Sequence, residues 1–559
     1  MSGIAISTAG AAPGIKHAPG KQTILKHELP VKEWKSWHRI LFRIGFIFFI
    51  SICIPNSPEW YKIVFNIDWT RLHYRDLYDI ARFGSGINFF GNTIFGSTLL
   101  GYANWITTAL ISVAGGLLWT FIVRARHTER KECNLLYYWL RVIVRYRAGI
   151  GIIGFGFTKL LPVQMPYPSL GLLNTNFGDF TAQKIYWLII GIVPWYQIFA
   201  GVVEVAAGTL LFFRRTTTLG AILLFAALGD IVYVNFAYDG GVHVYSSYFV
   251  LLAAFLLVDD VPRIYRLLVQ EKFTVPVHIY PTFKSKWQQF TRAGLKAATI
   301  FIFLILLFKL QLTNFLYDPY KQPSVAGLKT LRGNYNVTEF RINNQLIPYS
   351  PIDSLRWQEV TFEKWTTLTY KVNRPTMIDL SNGGGDPQKD INRTFELSGT
   401  GGGRRVFHYY ADTVNNVLYL EDKFKAVPDR RNRAAGVGGD GGTDKNLRVK
   451  ASQDLGATET TLKKWKETDN WIPKTALANI GSELNKIDQR AASARRDREF
   501  AEAPRNEKRN RMVLKYQTND GSHIILTGIN EHRDSLYIVL DKSNRVYALA
   551  ESSLQAGKY

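Results

Sequence analysis

The sequence is poor in cysteine, and this shortage excludes several kinds of site. Its two cysteines, Cys53 and Cys133, provide no CxxC pair, no zinc ligand set and no disulfide framework. They are too few for an iron–sulfur cluster. None of the ten histidines lies in the middle of an apolar run, which excludes a haem held by two membrane histidines. We therefore predict no metal site, and no cofactor is evident from the residues alone.

A cleavable secretory signal is also missing from the start of the chain. The basic stretch from Met1 to Ile40 leads into WHRILFRIGFIFFISICIP without a small-residue cleavage site. We therefore expect a first membrane helix that is retained.

Long apolar runs recur up to about residue 316, and none follows it. A helix that crosses a membrane needs about 20 mostly apolar residues, with about 17 as a minimum. The short segment IYWLIIGIV does not reach this length and is predicted to be an interfacial helix. The seven predicted spans are 39–55, 103–123, 143–162, 194–213, 217–237, 244–259 and 295–316.

Basic residues exceed acidic residues by 68 to 45, and their placement follows the predicted spans. They crowd the N-terminal tail, the connection RARHTERKECNLLYYWLRVIVRYR, the pair Arg214 and Arg215, and the connection after the sixth span. By the positive-inside rule these regions, including the N-terminus, are cytoplasmic, so the chain after Tyr317 lies on the outer side of the membrane in a multi-pass protein. The basic outer connection 56–102 departs from this rule. Since topology accounts for the charge, we expect the lipid bilayer as a partner and no nucleic acid.

From Leu331 onward the apolar period changes to two, which is typical of antiparallel strands. The predicted strands lie in YNVTEFRINNQLIPYS, RWQEVTFEKWTTLTYKV, RTFELSG, RVFHYYADTVNNVLYLE, MVLKYQTNDGSHIILTGI and DSLYIVLDKSNRVYALAE. Six to eight strands in one domain favour a small closed barrel, because closure removes exposed strand edges. The opening LRGNYNVTEF resembles the start of lipocalin-type barrels.

The predicted fold class is therefore an α-helical membrane bundle of about seven spans plus a C-terminal antiparallel β-barrel. A Gly-rich, charged stretch at about 427–510 interrupts the strands and is predicted to be an insertion with little apolar face. The predicted divisions are a tail at 1–38, two spans and an outer loop at 39–139, a helical core at 140–270, a loop and last span at 271–316, and the outer domain at 317–559.

Several polar residues interrupt the predicted spans and their outer connections. At about 1.5 Å per residue, Lys159 lies about 5 Å below the outer boundary, Glu204 about 14 Å and Asp230 about 10 Å. Buried ionisable groups are costly in hydrocarbon and indicate function when a partner can be named. The candidate intramembrane polar pocket consists of Lys159, Gln164, Glu204, Asp230, Asn235, Asp239 and His243.

Each member of this pocket also has a structural interpretation. Lys159 can extend its side chain to the head groups, and Glu204 can form a structural hydrogen bond or ion pair. Asp230 can be a neutral, protonated carboxyl with a structural role. Asp239 and His243 can be ordinary loop residues. As a set, however, the residues suit a site that handles protons or binds a polar head group.

Three runs in this region resemble the DoxX family of bacterial membrane proteins: RYRAGIGIIGFGFTKLLPVQMPYPSL, FAGVVEVAAGTLLFFRRTTTLGAILL and NFAYDGGVHVYSSYFVLLAAFLLVDDVPRI. The resemblance covers roughly 140–270. Its most specific pieces are Lys159 with Pro162 and Gln164, Glu204 with Gly208, RRTTTLG, and N-x-x-YD ending at Asp239. It implies a four-helix core in a bacterial cytoplasmic (inner) membrane and, as in longer members, a C-terminal outer β domain, which is then periplasmic. Asp230 and the GGVH turn depart from the family pattern.

The resemblance implies a link to quinone-coupled sulfur oxidation or to membrane oxidoreductase complexes, without agreed catalytic residues. We therefore expect an accessory or quinone-interacting component of a membrane redox system, with oxidoreductase subunits as partners. The alternative is a non-enzymatic scaffold that presents the barrel and binds a lipophile or envelope proteins. An enzyme using Lys159 as a base is disfavoured because neighbouring acids raise a lysine pKa. A transporter is disfavoured because the spans show no inverted repeat.

Overall fold

A computed structural model describes residues 34–56, 58–83, 102–274, 285–319, 321–379, 383, 390–424, 471–480, 488–491, 509–550 and 552–559. Most of the predicted N-terminal tail and of the predicted insertion therefore lies outside the described residues. The helices are α1 (Ser36–Cys53), α2 (Pro58–Phe65), α3 (Tyr74–Ala81), α4 (Ala103–Ala125), α5 (Asn134–Leu160), α6 (Leu170–Leu173), α7 (Ala182–Gly191), α8 (Pro194–Leu211), α9 (Thr217–Ala237), α10 (His243–Leu257), α11 (Val261–Leu268), α12 (Lys286–Ile300), α13 (Leu307–Tyr317) and α14 (Lys474–Ile480). A π-helical segment, Phe301–Leu306, joins α12 to α13.

Four helical segments are long and apolar enough to cross a membrane: Ser36–Cys53, Ala103–Ala125, Thr217–Ala237 and Lys286–Tyr317. Two bent pairs, α7 with α8 at 91° and α10 with α11 at 76°, raise the number to six if each pair is one span. Helix α5, which contains the third predicted span, is not among them because it carries several charged residues. The composition therefore indicates a membrane protein, and the count of seven spans stays a prediction.

Glycines allow α5 and α8 to pack closely and antiparallel. A Cβ atom added at Gly201 would lie 2.8 Å from the Gly156 carbonyl oxygen, and one at Gly208 would lie 2.9 Å from the Gly149 carbonyl oxygen. Only glycine permits such an approach, since any side chain would force the helices apart. This contact fixes which residues of the two helices face each other.

Helix α3 enters the bundle instead of remaining in an outer loop. Its Tyr74, Leu77, Tyr78 and Ala81 are buried, and it packs against α5 and α13. The guanidinium of Arg82, which follows α3, lies 5.8 Å from the ring centres of Tyr78 and Phe155. The connection 56–102 is more basic than the positive-inside rule predicts for an outer loop. At least one of its basic residues, Arg82, packs on aromatic rings of the bundle.

The strands close into an antiparallel barrel. They are β1 (Gly333–Ile342), β2 (Gln345–Leu346), β3 (Glu359–Phe362), β4 (Thr367–Lys371), β5 (Arg404–Asp412), β6 (Val417–Asp422), β7 (Arg511–Gln517), β8 (His523–Ile529) and β9 (Ser535–Lys542). Each strand from β3 to β9 pairs with the next, β1 pairs with β3, and β1 also pairs with β9, so eight strands form the ring while β2 pairs only with the end of β1. The predicted combination of helices with a closed barrel is therefore confirmed.

Side chains fill the interior of the barrel. Every second residue of the strands points inward and is buried, as in Leu418 and Leu420 of β6. The ring of Trp357 stacks on that of Tyr370 at a centre-to-centre distance of 3.8 Å, and Tyr370 lies 5.7 Å from Phe407. A barrel of eight strands has an interior that such side chains can occupy completely.

Two predicted strands are wrong. Residues 393–399, from RTFELSG, form a turn in which Phe395 and Glu396 are buried beneath the barrel instead of alternating along a strand. Residues 545–550 also lie outside the sheet, because Lys542 is the last residue of β9. Phe395 of the first segment packs on Leu172 and Trp187, whereas Val546 and Leu549 of the second are exposed. A period-two pattern distinguishes neither arrangement from a strand. Within the predicted insertion, KTALANI forms α14, whose Ala476 and Ile480 pack on Tyr419 of β6.

The connection between α5 and α8 attaches the barrel to the bundle. The Thr181 amide donates to the Gly399 carbonyl at 3.0 Å, and the Gly401 amide donates to the Asp179 carbonyl at 2.7 Å. The Asn174 side chain accepts from the Tyr547 hydroxyl at 2.7 Å. The α5–α8 connection and the barrel are therefore joined by main-chain and side-chain hydrogen bonds.

Candidate functional site

Lys159 and Glu204 form a buried ion pair between α5 and α8. The Lys159 Nζ donates to Glu204 Oε1. The Glu204 residue is 1% exposed and Lys159 is 8% exposed, so the pair is shielded from solvent. The other carboxylate oxygen, Glu204 Oε2, has no hydrogen-bond partner among the residues that the structure describes. A buried acceptor without a donor is unusual in a folded protein, and this oxygen is able to accept one further hydrogen bond.

The position of the pair follows from the glycine contacts of the two helices. Gly156, one turn before Lys159, packs against the Cβ atom of Glu204 and against Val205. Residues three or four apart lie on one face of a helix, so Lys159 must project along the same α5–α8 seam. The seam therefore places the ammonium and the carboxylate together without a rearrangement of either helix.

An aromatic pair lies near the carboxylate. The Tyr186 ring of α7 stacks on the Tyr238 ring at a centre-to-centre distance of 5.2 Å with 27° between the planes. The Tyr186 hydroxyl lies within electrostatic range of both Glu204 and Asp230. Asp230 itself is exposed on the surface of α9. Helix α7, which carries this tyrosine, meets α8 at a bend of 91°.

The remaining predicted residues have other local partners. Gln164 accepts a hydrogen bond from the Thr158 hydroxyl at 3.2 Å, one residue before Lys159. The Asn235 amide donates to the Ile231 carbonyl of its own helix at 2.7 Å. Asp239 is exposed in the turn after α9 with a φ of +52°, and His243 is buried with its ring 4.5 Å from that of Phe236. The structure thus brings Lys159 and Glu204 into contact, places Gln164 beside them, and distributes the other residues along α9 and the α9–α10 connection.

Similarity to known proteins is confined to a short stretch. The chain is 31% identical over 94 residues to the uncharacterized protein YwoB of Bacillus subtilis (strain 168), which covers 15% of this chain and 61% of that protein. The chain thus spans less than two thirds of the length of this curated relative. No protein-family model and no solved structure matches the chain. The function must therefore be argued from the site itself.

Two buried polar residues of α5 and α8 escaped the sequence-based prediction. Gln197 is 1% exposed and forms hydrogen bonds with both the amide and the carbonyl of Met165, at 3.0 and 3.1 Å, which fastens the turn after α5 to α8. Arg147 is buried in the middle of α5. In the sequence, Arg147 precedes the apolar run in RYRAGIG. Because other basic residues lie close before it, the charge pattern places it at the cytoplasmic boundary and not inside the bundle. No group of three His, Cys, Asp or Glu residues in the described part of the chain could hold a metal ion.

Charged side chains are also buried where the barrel meets the bundle. Glu363, between β3 and β4, accepts hydrogen bonds from the amides of Gly171 and Leu170 at 2.7 and 3.0 Å. Burial raises the pKa of Glu363 to about 7, although these amide bonds act in the opposite direction. On the same junction, burial and the nearby Lys184 ammonium hold the pKa of Lys321 well below its usual range. The junction is therefore sensitive to protonation near neutral pH.

This arrangement predicts a pH dependence of stability that Glu363 controls. The folded protein binds the Glu363 proton up to about pH 7, whereas the unfolded chain releases it near the usual value of 4.5. The contribution of Glu363 to stability should therefore fall as the pH rises between these values, by up to about 3 kcal/mol at about 1.36 kcal/mol per pKa unit. The depressed pKa of Lys321 acts in the opposite direction and is common to both proteins, so the test is their difference. We expect the thermal unfolding midpoint of the unmodified protein to fall relative to that of Glu363→Gln between about pH 5 and about pH 8.

The matched control for this measurement is Glu339→Gln, since the Glu339 side chain on β1 is 33% exposed and pairs with Arg341. The control should show the same pH dependence of the unfolding midpoint as the unmodified protein. An identical pH dependence in Glu363→Gln would show that this carboxyl does not carry the effect.

Proposed function

We propose that this protein is an integral membrane protein of the DoxX type that binds a quinone or quinol head group beside Lys159 and Glu204. In this proposal it serves a membrane redox system as an accessory component, with its barrel in the periplasm. The observation that carries the proposal is the buried Glu204 Oε2, which has no partner in the described part of the chain, next to an ammonium group. An ammonium donates to a quinone carbonyl, and a carboxylate accepts from a quinol hydroxyl.

The surroundings of the pair suit a flat, mostly apolar ligand. The stacked Tyr186 and Tyr238 rings offer an aromatic face near the carboxylate. On the outer surface of α8, Trp195, Tyr196 and Phe199 are exposed, so an isoprenoid tail would find an apolar surface to follow. Aromatic rings favour offset stacking with another planar ring. Electrons would be exchanged with a partner subunit, while this chain binds and orients the head group.

The filled interior of the barrel favours placing the ligand in the bundle. The stack of Trp357, Tyr370 and Phe407 occupies the space in which a lipocalin-type barrel would hold a lipophile. The second candidate function, a scaffold that presents the barrel to envelope proteins, is favoured by the many contacts that fasten the barrel to the bundle, such as that of Tyr167 with the Ala550 carbonyl at 3.0 Å. In that case the Lys159–Glu204 pair would be purely structural.

The two functions are separated by extraction into nanodiscs followed by mass spectrometry of every co-purifying lipid, quinone and protein. The quinone proposal predicts a stoichiometric quinone or an oxidoreductase subunit that is lost in Glu204→Gln. The control is Asp259→Asn, since the Asp259 side chain is 59% exposed and pairs with Arg141. Quinone retained equally in both variants would remove the proposed site, and envelope proteins or lipid alone would favour the scaffold.

A further inference from the structure

Arg147 is a buried cation at the centre of α5. It lies 13 residues from Asn134 and 13 from Leu160, the two ends of this 27-residue helix. At about 1.5 Å per residue this is about 20 Å from either end and about 18 Å along the helix from Lys159. The side chain is buried, with an exposure of 8%. Arg147 therefore cannot belong to the Lys159–Glu204 pair.

The described surroundings of Arg147 are aromatic and contain no carboxylate. Its Nη1 donates to the Ala81 carbonyl at the end of α3, at a distance of 2.7 Å. The guanidinium lies 4.0 Å from the ring centre of Phe83 and 5.1 Å from that of Tyr248. Among the described residues, its ionisable neighbours are Tyr245, Tyr248 and Cys53, and none of these is a carboxylate. The positive charge thus has no counter-charge in the described part of the bundle.

One edge of the guanidinium has no hydrogen-bond acceptor of normal geometry among the described residues. Nε and Nη2 form this edge, and the Tyr245 hydroxyl lies beside the guanidinium without a hydrogen bond of normal geometry there. These two nitrogens form the side-on fork that matches the two oxygens of a carboxylate. A buried cation is costly unless an anion accompanies it. The ligand that matches this edge is therefore a singly charged anion with two oxygens.

We propose that Arg147 binds the carboxylate of a long-chain amphiphile, such as a fatty acid, through its Nε and Nη2, with the Tyr245 hydroxyl as a further donor. The apolar tail is required because the site lies about 20 Å from either end of the helix, among aromatic rings. One carboxylate neutralises one guanidinium, so the occupied site carries no net charge. This site is separate from the quinone site, and either can be absent without the other.

The test is equilibrium binding of oleate to the full-length protein in phosphatidylcholine nanodiscs, with oleyl alcohol and acetate as comparison ligands. We expect Arg147→Gln to weaken oleate binding about tenfold or more, because a charged hydrogen-bonded pair is lost. Tyr245→Phe should weaken it about threefold, since one neutral hydrogen bond is lost. The control on the same helix is Arg141→Gln, because Arg141 is partly exposed and pairs with Asp259.

The outcomes distinguish this site from a structural role of Arg147 in holding α3. Oleate bound more tightly than oleyl alcohol and acetate, with the preference reduced in Tyr245→Phe, supports the proposal even if Arg147→Gln does not fold. Oleate bound equally by the unmodified protein and Tyr245→Phe, or no better than oleyl alcohol, overturns it. If acetate competes as well as oleate, the apolar tail does not contribute to binding, and the proposal that the ligand is an amphiphile is overturned. Quinone retention in the Glu204 variants does not enter this test.

Discussion

Lys159→Met is expected to lower the free energy of unfolding by about 3–5 kcal/mol, because it leaves a buried carboxylate without its ammonium. Glu204 is 1% exposed, and the Lys159 ammonium is its hydrogen-bond donor in the described structure. The pair lies in the closely packed α5–α8 seam, among the glycines that bring the two helices together. Thermal unfolding of the purified protein in detergent measures the change.

The double variant Lys159→Met with Glu204→Leu is the control for this prediction. Replacing both members of a buried ion pair by apolar residues of similar size is often neutral or stabilising. We therefore expect the double variant to unfold near the temperature of the unmodified protein. An unchanged midpoint in Lys159→Met alone would mean that the lysine reaches the head groups and contributes nothing to the seam.

Arg393→Met is expected to have a similarly large effect at the junction of the barrel and the bundle. Arg393 is fully buried, and its Nη2 lies 2.5 Å from Asp318 Oδ1, while its Nη1 lies 3.4 Å from Asp390 Oδ1. Asp318 also lies 3.4 Å from His73, which precedes α3. The substitution leaves two buried carboxylates without their shared cation, which costs about 3–5 kcal/mol. Thermal unfolding and limited proteolysis near Tyr317 both measure the loss.

A surface arginine of the barrel provides the matched comparison. Arg341 pairs with Glu339 at 2.5 Å, but the two side chains are 42% and 33% exposed. Arg341→Met should change the free energy of unfolding by less than about 1 kcal/mol, as is usual for exposed pairs. Equal effects of the two substitutions would contradict the role assigned to the buried network.

The architecture could be predicted because both parts of the chain carry strong periodic signals. Uninterrupted apolar runs predicted helices such as α4 and α9, which are long and apolar enough to cross a membrane. In RVFHYYADTVNNVLYLE, alternating apolar residues on both sides of a turn predicted the β5–β6 hairpin. In the structure Phe407 pairs with Asp422 at one end of this hairpin, and Asp412 pairs with Val417 at the other. Local patterns of this kind depend little on the rest of the chain.

Contacts between distant segments could not be predicted in the same way. The sequence pattern of residues 393–399 predicts a strand. Their actual turn is stabilised by contacts with Lys184 and Trp187, which are distant in the sequence. Helix α3 reads as part of a polar outer loop, because its burial depends on α5 and α13. Burial of Glu363 and Lys321 likewise depends on how the barrel is attached, which no periodicity encodes. At the candidate site, the directions of the predicted helices were enough to place Lys159 near Glu204. The missing acceptors of Arg147, in contrast, could be recognised only once the side chains around it were known.

The most direct test of the central claim is equilibrium binding of a soluble quinone analogue to the Lys159→Met, Glu204→Leu double variant in nanodiscs. This variant is expected to keep the packing of the α5–α8 seam while losing both polar groups of the proposed site. We predict an unfolding temperature close to that of the unmodified protein, together with a loss of quinone binding of about tenfold or more. Unchanged quinone affinity in a stable double variant would contradict the account and leave the pair as a structural contact alone.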